Sequence, residues 1–276
     1  MAGKVTMEEI TRLRKMMGAG MMDCKNALTE AEGDFDKAVE IIRKKGQAVA
    51  AKRSDRDASE GCVLAKSTGK FAAMIALKCE TDFVAKNADF VALTQSILDA
   101  AVENKSADLE AVKALPMGNG TIADAVVDRS GITGEKMELD GYGVVEGAST
   151  SFYIHPGNKL ATIVAFNQEN VDAQVAREVA MQIAAMNPVS ITSADMPADV
   201  LAREKEIAAD KARQEGKPEN MIEKIAEGRI NKFYKEACLL QQEFVKDAKV
   251  TVAQFLDNSS KGLTVTAFKR FTLNAE

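Results

Sequence analysis

Residues 69–87 read GKFAAMIALKCETDFVAKN. The run Phe71 to Leu77 is apolar at every position, the pattern of a strand covered on both faces. It ends through Lys-Cys-Glu and leads into TDFVAKN and then a long helical pattern that closes near SILDAAV. A connection that only needs to turn would use Gly, Pro or Asn, so an Asp beside a Phe at this corner calls for an explanation. Two are open. If one helix begins near Thr81, then Phe83, Phe90 and Ile97 fall at seven-residue intervals on one face, and Phe83 is a core residue with Thr81 as N-cap. Spacing alone favours this. Alternatively Val84, Val91 and Leu98 supply the core and Phe83 protrudes beside Asp82, an apolar tip with an anion next to it.

The same unit recurs downstream. LATIVAF (Leu160 to Phe166) leads into VDAQVAREVAMQIA, and each apolar run is preceded by a β-rich one, GCVLAKS or STSFYIH. This predicts a hairpin followed by a helix, used twice. The interval from Leu77 to Ile97 is three residues longer than that from Phe166 to Ile183. The enlargement falls at the corner where TDFVAKN sits, and such corners are where function is grafted onto scaffolds.

Working outward, residues 5 to about 47 predict three short helices. Thr6 with Glu9 fits a capping box, with Ile10, Leu13 and Met17 behind it; Gly18-Ala-Gly20 breaks the helix; Asp34 caps a third that ends near Gly46. The run AVAAKRSDRDASEG (48–61) reads as a linker. Residues 199–215 and the stretch after Gly216-Lys217-Pro218 are charged helical segments with thin apolar seams, Val200 and Ile207 on one and Met221, Ile222 and Ile225 on the other. They predict a projecting antiparallel hairpin. LTVTAFKRF (263–271) alternates as a terminal strand does. The expected fold class is α+β, with a three-helix unit over 1–54, one half of the core over 55–141, the other over 142–186 and 229–276, and the helical hairpin inserted at 187–228.

Composition narrows the function. With 276 residues, 46% hydrophobic, 28% charged and a net charge of −5, the chain reads as soluble and has no long basic stripe for nucleic acid. It has no signal-peptide core and no apolar run of membrane-spanning length, so a cytoplasmic location and no membrane partner are expected. Cys24, Cys62, Cys79 and Cys238 form no C-x-x-C pair, and His155 is the one histidine. Metal sites and phosphate loops are therefore not expected, and no cofactor is. His155-Pro156-Gly157 marks a hairpin turn whose histidine is most simply a solvated group. Met21 and Met22 follow the Gly turn in GAGMMD. Spacing favours both in the core, although adjacent helical residues point about 100° apart and thioethers suit partner surfaces.

LRKMMGAGMMDCKNAL, KCETDFVAKN, YIHPGNK, GKPENMIEKIAEGRINKFYKEACLLQQEFVKD and FKRF, in this order, resemble the bacterial translation elongation factor Ts family along almost the whole chain. The resemblance implies a ubiquitin-associated-like N-terminal domain, a core of two related halves and an inserted helical hairpin. It implies guanine-nucleotide exchange on elongation factor Tu, without covalent chemistry. Thr81, Asp82, Phe83 and Val84 would form a wedge near the partner's magnesium, Met21 and Met22 would dock the N-terminal domain on the same GTPase domain, and His155 would face the partner's other domains. Met17 stands where the family usually has Thr, Asn158 where Gly is common, and the chain ends soon after FKRF, without the C-terminal extension of some members. Two other readings stay open: a non-catalytic adaptor using the N-terminal domain and hairpin, and a cysteine enzyme using His155. The hairpin could pair two copies into a homodimer or extend from a monomer.

Overall fold

An apolar strand with no polar face needs two covers, and both such strands here receive a helix on one side and a second sheet on the other. The computed structural model describes residues 5–274; the few expectations that touch residues 1–4 and 275–276 lie outside that range. The chain is α+β. It opens with α1 (Met7–Met17), α2 (Met21–Glu30) and α3 (Phe35–Lys52), which enclose a small core around Leu13, Cys24, Leu28 and Ala38. The Thr6–Glu9 capping box forms as expected, and Gly18 ends α1 in the left-handed region. α3 runs beyond Gly46 to Lys52, through the first five residues of what reads as a linker. The Ala-rich stretch 48–52 has high helix propensity, and Gly46 is the point at which α3 crosses a later helix.

The first sheet is built from β1 (Glu60–Ser67) and β2 (Phe71–Cys79), followed by α4 (Asp82–Ala85), α5 (Ala88–Glu103) and α6 (Leu109–Ala114). A two-stranded ribbon, β3 (Pro116–Met117) with β4 (Gly120–Thr121), leads into α7 (Ile122–Thr133) and the third strand, β5 (Glu138–Glu146). The order is β1-β2-β5, all antiparallel. β5 crosses the position 141/142 and stays paired with β2 as far as Glu146, so the first sheet continues past that point. The second unit repeats the plan with β6 (Ser149–Ile154), β7 (Leu160–Phe166) and α8 (Ala173–Met186). After α9 (Ala198–Gln214) and α10 (Glu219–Ala237) come a ribbon, β8 (Glu243–Phe244) with β9 (Asp247–Thr251), then α11 (Val252–Ser259) and β10 (Val265–Thr272). Its order is β10-β7-β6. Each unit is thus a hairpin, a long helix, a small ribbon, a helix opened by a capping box (Thr121–Asp124 or Thr251–Gln254) and a closing strand beside the central one.

Side-chain size sorts the faces. On β2, Phe71, Ala73, Ile75 and Leu77 pack under α5, while Ala72, Met74 and Ala76 meet Ala161, Ile163 and Ala165 of β7. On β7, Val164 and Phe166 face Val179 and Ile183 of α8. Buried Thr162 donates its hydroxyl to the Ala180 carbonyl at 2.8 Å, which is why one polar residue is tolerated there. The layers run helix, sheet, sheet, helix.

In the antiparallel α9–α10 pair the buried positions are Ala208, Ala212, Ile222, Ala226 and Ile230, with Ala237 buried at the last residue of α10. Ile207 and Met221 are exposed. Ile222 lies in the seam as expected, whereas Ala208 and Ala226 take the places next to Ile207 and Ile225, because close helix approach selects alanine.

Candidate functional site

The corner after β2 is shaped by two successive caps. Thr81 caps α4, its hydroxyl accepting from the Val84 N–H, and the chain then breaks at Asn87, whose φ of −64° and ψ of 132° are extended. Asn87 Oδ1 accepts from the N–H groups of Asp89 (2.9 Å) and Phe90 (3.3 Å) and starts α5 afresh. One continuous helix from Thr81 does not form, so Phe83 leaves the stripe that Phe90 and Ile97 occupy. Phe90 is buried, whereas Phe83 is 84% exposed. The other two apolar residues of this turn point inward: Val84 packs on the first core and Ala85 is buried. The longer first unit is thereby accounted for, as an extra helical turn bearing an exposed aromatic.

Asp82 is half-exposed and pairs with Lys86 one turn on, at 2.6 Å. The Lys86 ammonium, helped by the more distant Lys159, holds the Asp82 carboxyl below its usual range, so Asp82 is ionised at neutral pH. Lys159 also pairs with Glu60 at 2.8 Å. The Val63 N–H donates to the Asn158 carbonyl at 2.7 Å. The turn of the second hairpin, His155 to Lys159, therefore sits on β1 beside the corner of the first unit. His155 is exposed at that turn, its Nδ1 3.1 Å from the Tyr153 hydroxyl.

Behind the corner, Glu135 supplies acceptors where the sheet has none. Its Oε2 accepts from the N–H groups of Glu80 and Thr81, both at 3.1 Å, and its Oε1 from the Thr81 hydroxyl at 2.6 Å. In return the Glu80 carboxylate accepts from the Lys136 N–H at 2.6 Å and pairs with Arg53 at the end of α3, at 3.1 Å. Glu80, Glu135, Lys136 and Lys159 are missed by sequence reasoning, since isolated charged residues far apart in the chain carry no spacing signal.

Met21 and Met22, 43% and 64% exposed, open α2 with exposed Met16 nearby in the chain. The packing expected from spacing is taken instead by Ala19 and Cys24, both buried. This surface connects to the corner through α3 and its Arg53–Glu80 pair.

The four cysteines are buried. Burial pushes the Cys62 thiol up to about 11 and, with the nearby Glu135 charge, that of Cys79 up to about 12. A thiolate nucleophile would need the opposite shift, which counts against a cysteine enzyme. Among the described residues, no group of three or more His, Cys, Asp or Glu side chains could hold a metal ion, and no helix is long and apolar enough to cross a membrane. A groove of about 970 Å³ at the base of α10, lined by Met186, Tyr234, Leu240 and Gln242, includes none of the expected site residues.

A family model described as Elongation factor TS matches residues 80–275. A protein named Elongation factor Ts from Porphyromonas gingivalis (strain ATCC 33277) is 60% identical over 273 residues, covering 99% of each chain. Proteins of the same name from Phocaeicola vulgatus and Bacteroides thetaiotaomicron are 57% and 56% identical over 329 aligned positions, again covering 99% of each chain.

Proposed function

Since the chain belongs to the elongation factor Ts family and has a role in translation elongation, we propose that it is a guanine-nucleotide exchange factor that binds elongation factor Tu and speeds its release of GDP. The observation that carries this reading is Phe83, a large aromatic 84% exposed on a helical turn whose other apolar residues are packed inward. An exposed Phe is unfavourable in isolation and becomes favourable when a partner buries it. Asp82 stands beside it, ionised, and brings negative charge to whatever the ring enters once its exposed pair with Lys86 opens. Next to a partner's magnesium and phosphates, that pair need not ligate the metal; disturbing its water shell is enough.

No covalent chemistry is required. A protein that binds the nucleotide-free GTPase more tightly than the loaded one must weaken nucleotide binding by the same factor. A release rate raised about 10⁴-fold corresponds to roughly 5.5 kcal/mol of barrier, a range within reach of one buried aromatic ring and a perturbed ionic network. Met21 and Met22 fit the docking of the N-terminal helices on the same GTPase domain. His155, on the turn attached to β1, fits a contact made by the second unit. Thr81 and Val84 complete the wedge by holding its turn to the body.

The test is stopped-flow release of a fluorescent GDP from elongation factor Tu. Wild-type protein accelerates release, and Phe83→Ala does so at least tenfold less while its melting temperature is unchanged. A folded Phe83→Ala protein that exchanges at the wild-type rate rules the wedge out. The adaptor reading predicts instead capture of several unrelated partners, insensitive to added GDP.

A further inference from the structure

We infer that Glu135 is a positioning residue for the 81–84 tip, one half of a reciprocal carboxylate clasp with Glu80 that fixes the direction in which Phe83 points. This rests on the wedge reading above. An exposed ring makes few contacts of its own, so its placement is inherited from the backbone of the turn that carries it. That backbone leaves β2 at the point where pairing stops. The last partners are Glu60 opposite Cys79 on one side and Glu138 opposite Lys78 on the other. The N–H groups of Glu80 and Thr81 lie beyond the ladder, and Glu135 Oε2 accepts from both. Its other oxygen accepts from the Thr81 hydroxyl, the group that also caps α4. A charged acceptor strengthens all three bonds.

Glu135 is itself fixed. Gly134 ends α7 in the left-handed region, with φ of 72°, and the Ser130 hydroxyl donates to the Glu135 carbonyl at 2.5 Å. The clasp closes from the other side, since Glu80 accepts from the Lys136 N–H and pairs with Arg53 of α3. The Lys136 ammonium donates to the Arg56 carbonyl at 3.0 Å. The tip is thus tied both to α7 and to the end of the N-terminal helices, so the Met21–Met22 surface and the Phe83 tip are held at a fixed offset.

The experiment compares full-length Glu135→Ala, Glu135→Gln and Phe83→Ala by two readouts: amide hydrogen exchange of residues 80–86 in the free protein, and the dependence of GDP release from elongation factor Tu on factor concentration. In Glu135→Ala the amides of Glu80 and Thr81 exchange about tenfold faster. The maximal release rate falls about tenfold, equivalent to ~1.4 kcal/mol, while the half-saturating concentration changes less than threefold. Glu135→Gln recovers most of the rate, because its amide oxygen still accepts from both N–H groups and its NH₂ can donate to Thr81. The inference is overturned by a Glu135→Ala protein with the wild-type maximal rate or unchanged local amide exchange. Equal loss of rate and melting temperature in both Glu135 variants, the mark of a purely structural residue, overturns it too. If Phe83→Ala slows release and Glu135→Ala does not, the clasp alone is wrong; if neither slows it, the wedge is wrong and the clasp's role falls with it.

Discussion

Phe83 and Phe90 are the same residue type seven positions apart, and by spacing they are equivalent. What separates them is Asn87, an ordinary-looking polar residue whose side chain caps α5 and interrupts the helix. The sequence carries that signal, because Asn is a preferred N-cap, but the apolar heptad spacing around it is louder. Only the resemblance to a family, not periodicity, points to an exposed Phe83 at the first reading. Met21 and Met22 follow the same rule: once buried Ala19 and Cys24 fill the space near the turn, the long side chains point outward. The contrast makes a prediction that needs no partner. Phe90→Ala removes a fully buried ring and costs about 3–5 kcal/mol, which lowers the melting temperature by roughly 10 °C in a chain of this size. Phe83→Ala removes a ring already in water and shifts it by less than about 1 °C. Differential scanning calorimetry of the two variants decides it, and comparable shifts would place Phe83 in the core.

Among the elements, the helix and strand assignments that rest on long periodic runs are legible, and those shaped by close contact are not. β5 is an example. Its stretch ELDGYGVVE contains Gly141, at φ of 61°, and Gly143, which break any apolar alternation. A Cβ at Gly141 would sit 2.8 Å from the Phe271 ring, so the glycine that hides the strand in the sequence is there to admit β10. The α3–α7 crossing has the same logic. A Cβ on Gly131 would lie 2.3 Å from the Gly46 Cα, whereas a Cβ on Gly46 would meet nothing nearer than the Val127 carbonyl at 3.5 Å. The two glycines are therefore not equivalent. Gly131→Ala must push the helices apart and destabilises the protein by about 1–3 kcal/mol. Gly46→Ala fits without displacement and gains up to about 1 kcal/mol of helix propensity. Melting temperatures that move in opposite directions are the expected result, and two variants that lose stability equally would mean that the crossing is looser than this geometry.

At the scale of the whole molecule, the duplicated hairpin-and-helix unit is visible in the sequence because two apolar runs share a length and a context. The way the duplicates meet is not, since alanines inside an apolar run look like neutral spacers until both faces of the strand are known to be covered. Ala72, Ala76, Ala161 and Ala165 lie in the layer between the sheets and are fully buried. Their small size lets the two sheets approach, and that approach puts the His155–Lys159 turn on β1 and the Lys159 charge near Asp82. The geometry of the tip thus depends on packing spread through the core. Ala165→Leu inserts three carbons into a closed layer and costs about 1–3 kcal/mol, at roughly 2–4 °C of melting temperature per kcal/mol. Because the excess volume is relieved by separating the sheets, the second hairpin moves relative to the first, and under the proposed exchange role the folded variant also speeds GDP release from elongation factor Tu less than wild type does. Ala173→Leu, at the exposed start of α8, adds the same volume where solvent gives way and leaves both quantities unchanged. If Ala165→Leu lowers the melting temperature yet exchanges nucleotide at the wild-type rate, the tip is set by its local clasp and not by the spacing of the sheets.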